Sequence, residues 1–470
     1  MSIKIIILTF LFAFALSGIC EDAGGGFGPG PQPLTPVHWW ENWGYLKDPS
    51  QRGDLFDPVK FIPFDCANDS YMSVGLEFRA RYESWSNEAF LNGPPNDHDG
   101  FYLQRTMLRT DYRFHKHFRI YTELINAEQF GRKGPERTLE EDRLEFINAF
   151  VEAGCDIDET KSIDFRIGRQ EMRYGSGRLI DIRDVVNNRQ TFDGAKMMLK
   201  LDNWQVDGFY THLVAQQPGV FDDTGNSKFA LAGLYATTSK LPLLKGAGLD
   251  LYLLRDDNDN GLFFQGIKHE HRESAGARLF GSFHNFSYDC EGTYQFGKFG
   301  EDHISAWSSS NDIGYTFAKI QTQPKFFLRA DAFSGDHNLA DHSLGTFNAL
   351  FPNSPYFCQD SPIGKQNMVD LHPGVEFHPH SKVTLSAGNI WYWRESVHDG
   401  TYYFNNIPMF APISQARYIG DEQVVQVQWR ALKHATVEAA FSRFHAGEFI
   451  RANPHGKDFD FVASWVTFRF

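Results

Sequence analysis

Cysteine is scarce in this chain, and long apolar runs are nearly absent. Five cysteines occur in 470 residues. None has C-x-x-C spacing and none clusters with histidine as zinc ligands do, so no metal site is expected. Beyond the N-terminus no stretch approaches the about 20 apolar residues that a membrane-crossing helix needs, which excludes a helical membrane protein. Positive charge is in deficit as well, and a net charge of −14 argues against a nucleic-acid partner. No G-x-S-x-G elbow is present, and the histidines and serines, His284 and Ser287 among them, have no spacing that identifies a nucleophile. No catalytic residue and no cofactor is therefore expected. Aromatic residues, by contrast, are plentiful at 15%, with 44 Phe, while the mean hydropathy stays at −0.40.

The first 20 residues have Lys4, an apolar run over residues 5–16, and small residues at Ser17, Gly18 and Cys20. They read as a secretory signal peptide, cleaved after Cys20 or after Ser17. The order L-S-G-I-C suggests a lipoprotein, but Ile19 stands where a small residue is wanted, so lipidation is the weaker reading. Export leaves Cys66, Cys155, Cys290 and Cys358, whose possible pairings the sequence cannot choose between. Residues 21–36 are a Gly/Pro-rich lead. Residues 38–69 have Trp39, Trp40 and Trp43 without alternation, and are expected to fold against one end of the main domain as part of a periplasmic N-terminal segment, residues 21–70.

From residue 71 the texture changes to segments of roughly ten residues with period-2 alternation. Leu76, Phe78, Ala80 and Tyr82 share one face, and Glu77, Arg79, Arg81 and Glu83 the other. Arg105, Arg109, Asp111 and Arg113 oppose Thr106, Leu108, Thr110 and Tyr112; Arg119, Tyr121 and Glu123 oppose Phe118, Ile120, Thr122 and Leu124. Later, Ser287, Asp289, Glu291, Thr293 and Gln295 oppose Phe286, Tyr288, Tyr294 and Phe296, and Gln426, Gln428 and Arg430 oppose Val425, Val427 and Trp429. Lipid outside and a wet, charged lumen inside satisfy both faces. The segments number about 18 between residues 71 and 470, the even count that a single-chain barrel requires. The expected fold is all-β: a transmembrane antiparallel β-barrel of outer-membrane type, occupying residues 71–470 as one domain. Residues 126–142 and 335–364 are expected to be extracellular loops or lumen plugs.

The chain ends on a strand, D-F-D-F-V-A-S-W-V-T-F-R-F, with Val462, Val466, Phe468 and Phe470 on one face and Thr467 and Arg469 on the other. A last strand this long and aromatic needs a partner, and pairing it with the first strand removes the exposed edge. It resembles the C-terminal assembly signal of bacterial outer-membrane proteins. That likeness implies an outer-membrane location, contact with lipid, and recognition of Phe468 and Phe470 by the barrel-assembly machinery. Phe470 is expected to matter far more for folding than Arg469.

Residues 164–194 concentrate Arg166, Arg169, Arg173, Arg178, Arg183 and Arg189 with Asp193. In Gly168-Arg169-Gln170, Gly175-Ser176-Gly177-Arg178 and Arg189-Gln190-Thr191-Phe192-Asp193-Gly194 the chain resembles the alginate-export family of outer-membrane porins. The likeness continues through residues 289–297, 334–336, 345–352, 370–374, 393–400 and 445–449. It implies an 18-stranded barrel whose electropositive constriction passes an anionic polysaccharide such as a polyuronate. Guanidinium suits that task because it binds carboxylate in bidentate fashion and stays charged. The expected substrate path comprises Arg79, Arg81, Arg105, Arg109, Arg113, Arg119, Arg169, Arg178, Arg189, Arg329, Arg394 and Arg430, with Glu123 and Asp193 as acidic partners. The same arginines could instead simply balance lumen carboxylates. Two other classes remain open, an outer-membrane hydrolase of lipase or deacylase type and a soluble β-rich carbohydrate-binding protein. Asp256-Asp257-Asn258-Asp259-Asn260-Gly261 mimics the start of an EF-hand loop, but Ile267 stands where a bidentate Glu is needed, so a polar hairpin turn is expected there.

Overall fold

A strand with one apolar and one charged face leaves both faces unsatisfied in an open sheet, and this chain resolves the conflict by closure. The computed structural model describes residues 34–65, 70–88, 98–133, 137–242, 244–404, 406–454 and 456–470. The expected signal peptide, residues 21–33 of the lead and Cys66 lie outside the described residues. The barrel strands are β1 (Tyr71–Ser86), β2 (His98–Phe114), β3 (Phe118–Phe130), β4 (Asp142–Asp156), β5 (Lys161–Gln170), β6 (Phe192–Leu201), β7 (Trp204–Ala215), β8 (Thr224–Thr238) and β9 (Ala247–Phe263). They continue as β10 (Gly266–Phe283), β11 (Phe286–Phe299), β12 (Asp302–Thr316), β13 (Lys325–Phe333), β14 (Met368–His380), β15 (Val383–Trp393), β16 (Tyr418–Leu432), β17 (Ala435–Ala446) and β18 (Phe459–Arg469). Each pairs antiparallel with its neighbour in sequence, and β18 closes onto β1 with Phe468 opposite Phe78 and Trp465 opposite Arg81. The protein is thus an 18-stranded closed antiparallel barrel.

Facing follows the alternation. Phe78, Leu108, Leu234, Ile313, Val425 and Val466 are exposed on the outside, and Ile167 reaches 66% exposure, whereas Glu77, Arg105, Glu123 and Arg272 are buried inside. Such an apolar belt suits lipid and would be an aggregation surface in water. Residues 256–261 differ from expectation. They form no turn but run within β9, with a register shift between Asn258 and Gly261, and the chain reverses at residues 264–265.

One barrel end has the C-terminus and tight turns such as residues 115–117, 202–203 and 433–434; the other has the long connections. Residues 171–191, 334–367 and 394–417 fold inward from the loop end, seated on an aromatic cluster that includes Phe192, Phe351, Phe357, Tyr392, Phe444 and Phe449. Each such ring contributes about 1.5–3 kcal/mol on full burial. At the turn end the N-terminal segment does more than cover the opening. It enters the lumen, where Val37 and Trp39 pack on Tyr121, Phe150 and Ile182. Cys155, Cys290 and Cys358 are free thiols.

Candidate functional site

Three adjacent strands build a cationic wall. Arg79 of β1 stands opposite Arg105 of β2, and Arg113 of β2 opposite Arg119 of β3. Like charges placed across strands repel, so this wall persists because other groups neutralise it. Arg105 donates to Glu77 at 2.9 and 2.5 Å and to Asp184 at 2.5 Å. Arg79 donates to the carbonyls of Asp184, Val185 and Val186 at 2.5, 3.2 and 2.9 Å. Arg109 reaches Glu41 at 2.9 Å and a main-chain oxygen of Phe470 at 2.8 Å. Its guanidinium lies across Gly75, where a Cβ would sit 2.3 Å from Cζ, so glycine is required for that approach. Arg113 and Arg119 share Asp111 and donate to the carbonyls of Glu41 and Trp39.

The N-terminal segment and residues 171–191 are thereby clamped to the wall and to each other. His38 lies between Glu123, 2.5 Å from Nδ1, and Glu77, 3.3 Å from Nε2. Burial works to lower the imidazole's pKa and Arg109 adds to that, but Glu123 and Glu77 together raise it above its usual value. Arg189 donates to Asp184 at 2.5 Å and to the Pro36 carbonyl at 2.8 Å. Burial disfavours the Asp184 carboxylate, yet Arg189 and Arg105 beside it hold its pKa well below the usual range. Burial pushes Glu171 up to about 7 against the pull of Arg189.

Residues 171–191 also cross the lumen. Arg178 pairs with Asp289 at 2.6 Å and Glu291 at 3.1 Å on the inner face of β11. On β13, Arg329 pairs with Asp312 at 2.8 Å and donates to the Tyr356 carbonyl at 2.9 Å, with its side chain still 31% exposed. Lys365 rests 3.5 Å from the Tyr356 ring centroid, and burial lowers its pKa to about 7.

The second inward loop divides the interior. Gln359 and Asp360 line a 430 Å³ cavity on the loop side, together with Glu83, Arg132, Lys133 and Arg137. They also line a 200 Å³ cavity on the inner side, together with Arg329, Glu376 and Gln426. Arg81 stands at this partition, donating to Glu83 at 2.6 Å and Gln359 at 3.3 Å over the Trp465 ring. Its Nη2 is buried without a hydrogen-bond partner. A third cavity of 440 Å³ at the turn end is lined by Arg113, Lys116 and Arg119.

Of the residues singled out from sequence, Arg79, Arg81, Arg105, Arg109, Arg113, Arg119, Glu123, Arg178, Arg189 and Arg329 stand on the lumen side of the wall or on an inward loop. Others lie elsewhere. Arg169 shares the outward parity of Phe165 and Ile167 and pairs with Asp193 at 2.9 Å at the loop-end rim, because β5 ends one residue later. Arg394 is buried and spends its guanidinium on the carbonyls of Val397, Asp399, Ser414 and Ala416, holding residues 394–417 in place. Arg430 sits at the turn-end rim, 3.5 Å from the Ser381 carbonyl. His38, Glu41, Asp184, Gln359 and Asp360 were not anticipated. Asp184 falls inside the arginine-rich stretch and was open to inference, whereas His38 has no periodic context to mark it.

A family model for alginate export matches residues 70–462. Among solved structures, the outer-membrane protein OpdK from Pseudomonas aeruginosa aligns over 87% of this chain and 99% of its own, with 10% identity and a TM-score of 0.58. A BenF-like porin from Pseudomonas fluorescens aligns over 85% of this chain and 98% of its own, with 9% identity and a TM-score of 0.56. OpdO of P. aeruginosa aligns over 87% and 98%, with 11% identity and a TM-score of 0.55. At such identities these likenesses establish the fold alone. No curated protein matches the sequence.

Proposed function

The chain belongs to the alginate export family and is an outer-membrane channel; from that premise we propose that it passes anionic solutes, polyuronate-like polysaccharide foremost, through an arginine-bearing lumen. The observation that carries this reading is Arg81 at the partition, which donates through Nη1 to Gln359, a residue lining both cavities, and keeps Nη2 without a hydrogen-bond partner. Cationic groups stand on either side of it, Arg132 and Arg137 in the outer cavity and Arg329 in the inner one. A carboxylate moving inward or outward therefore meets guanidinium groups in both cavities and passes the buried charge of Arg81 between them. Every one of these cations also has an acidic neighbour, Glu83 for Arg81, Glu88 for Arg137 and Asp312 for Arg329. Competition from that neighbour keeps the solute's hold weak enough for release.

Passage on this reading is passive and needs no cofactor and no catalytic residue. The pair that prompted the hydrolase alternative supports no catalytic arrangement: His284 lies at a tight turn with its ring edge-on to Phe283, and no hydrogen bond joins it to Ser287 among the described residues. The test is current through single barrels in a planar bilayer. Oligouronates added to one side should interrupt the current in discrete blocks, and neutral oligosaccharides of equal length should do so far less. Equal blocking by both would remove the anionic-solute reading and leave a general channel.

A further inference from the structure

Cys358, Asp360 and Glu422 bring one ligand atom each to the partition, and these atoms lie within 4.8 Å of one another. The Cys358 thiol donates to Glu422 Oε2 at 3.2 Å, and the Tyr392 hydroxyl donates to the same oxygen at 3.0 Å. Ser442 donates to Asp360 Oδ2 at 2.5 Å. The remaining carboxylate oxygens, Glu422 Oε1 and Asp360 Oδ1, are buried with no hydrogen-bond partner, and Glu422 is 0% exposed. A buried carboxylate with an idle oxygen is costly unless a proton or a cation neutralises it. No basic side chain forms an ion pair with Asp360 or Glu422 among the described residues.

We propose that Cys358, Asp360 and Glu422 form a site for one borderline divalent transition-metal ion of the zinc class, which ties residues 334–367 to strand β16. The donor set selects this class, because a thiolate disfavours magnesium and calcium while two carboxylates suit zinc better than a monovalent soft ion. Zinc holds sulfur at about 2.3 Å and oxygen at about 2.0–2.2 Å, which places tetrahedral ligands roughly 3.5 Å apart. The Cys358 and Glu422 atoms are already at 3.2 Å, and the Asp360 ligand atom lies within 4.8 Å of both. Binding displaces the thiol proton and ends the repulsion between the acids. Cys358 and Asp360 both line the inner cavity, which gives an ion access to the site. Because Asp360 borders both cavities, an ion there fixes the partition across the solute path. The site does not depend on which solute passes.

Cobalt(II) titrated into the full-length barrel folded in detergent tests the site directly. One equivalent should bind with a thiolate-to-cobalt charge-transfer band in the near ultraviolet, and zinc(II) should displace it. Cys358→Ala should abolish the band, while Cys155→Ala and Cys290→Ala should retain it, each variant being checked for heat-modifiable migration on gels. Should Cys358→Ala fail to fold, Glu422→Gln and Asp360→Asn keep the thiol and should each weaken cobalt binding by at least about tenfold. A folded wild-type barrel without the band, or a band that persists in Cys358→Ala, would overturn the proposal.

Discussion

Arg79 and Arg105 face each other across β1 and β2, and both grip the main chain of residues 184–186. Two guanidinium groups in that position would drive the strands apart if left alone. With Glu77 and Asp184 between them they become a latch that holds residues 171–191 against the wall. A solute carboxylate can reach these two arginines only by displacing that loop, which separates them in role from Arg329, whose side chain lines the inner cavity and is 31% exposed.

Asp184 is the common partner of Arg105, Arg189 and, at 3.6 Å, Arg469. Removing one member of a buried ion network costs about 3–5 kcal/mol, and here the loss falls on the loop rather than on the barrel ladder. Asp184→Ala should therefore increase single-channel conductance and expose residues 171–191 to protease, while heat-modifiable migration persists. A variant with parental conductance and parental protection would show that the latch does not hold the loop.

The N-terminal segment should loosen at high pH. His38 is held by Glu77 and Glu123, with Arg109 opposing its charge, and its pKa is raised in the folded state. Its contribution is fully present below the unfolded value of about 6.5 and is lost as pH rises through the higher folded value. Protection of residues 35–43 from hydrogen exchange should fall as pH is raised through that window. His38→Gln should flatten the dependence; a profile unchanged in the variant would assign it to another group.

The last residue has two roles that can be separated. The Phe470 main chain exchanges hydrogen bonds with Leu76 at 3.0 and 3.1 Å, and its ring stacks on Phe56 at 4.2 Å. Deleting Phe470 should sharply lower the folded outer-membrane fraction, and Phe56→Ala should spare assembly because it leaves the strand end intact. Arg469, expected from sequence to matter much less than Phe470, pairs with Glu77 at 2.6 Å. Arg469→Ala should thus lower the melting temperature of the folded barrel without lowering the folded yield to the level of the deletion. Parental yield from the Phe470 deletion would contradict a terminal assembly signal.

The barrel was legible because period-2 alternation is written locally, one strand at a time. Leu76 to Tyr82 against Glu77 to Glu83 needs no knowledge of any other strand. Inward loops are a different matter. Arg79 meets Val186, and Arg178 meets Asp289, across more than a hundred residues of sequence, and nothing local marks either contact. Arg169 and Arg394 looked equivalent to Arg105 as cations, yet parity put the first outside and a loop consumed the second. The meeting of Cys358, Asp360 and Glu422 follows no ligand-spacing rule because β14 and β15 lie between the loop and Glu422.

Charge reversal at the partition separates a solute path from a wall of balanced charges. Arg329 lines the inner cavity, Arg81 donates to Gln359, which lines both cavities, and neither arginine fixes residues 171–191. In the parent, reversal potentials under a salt gradient should show anion preference despite the overall charge of −14, because selectivity follows the groups within reach of the path. That reach is about 10 Å at 0.1 M salt and about 3 Å at 1 M, so the preference should weaken as salt is raised. Arg81→Glu with Arg329→Glu should shift selectivity toward cations and reduce oligouronate block, with folding and heat-modifiable migration retained. Arg394→Glu is the contrasting case: its partners are carbonyls of its own loop, so it should destabilise residues 394–417 while changing selectivity little. If the double variant keeps parental anion preference, Arg81 and Arg329 only balance their carboxylates, and the solute must be selected elsewhere in the lumen.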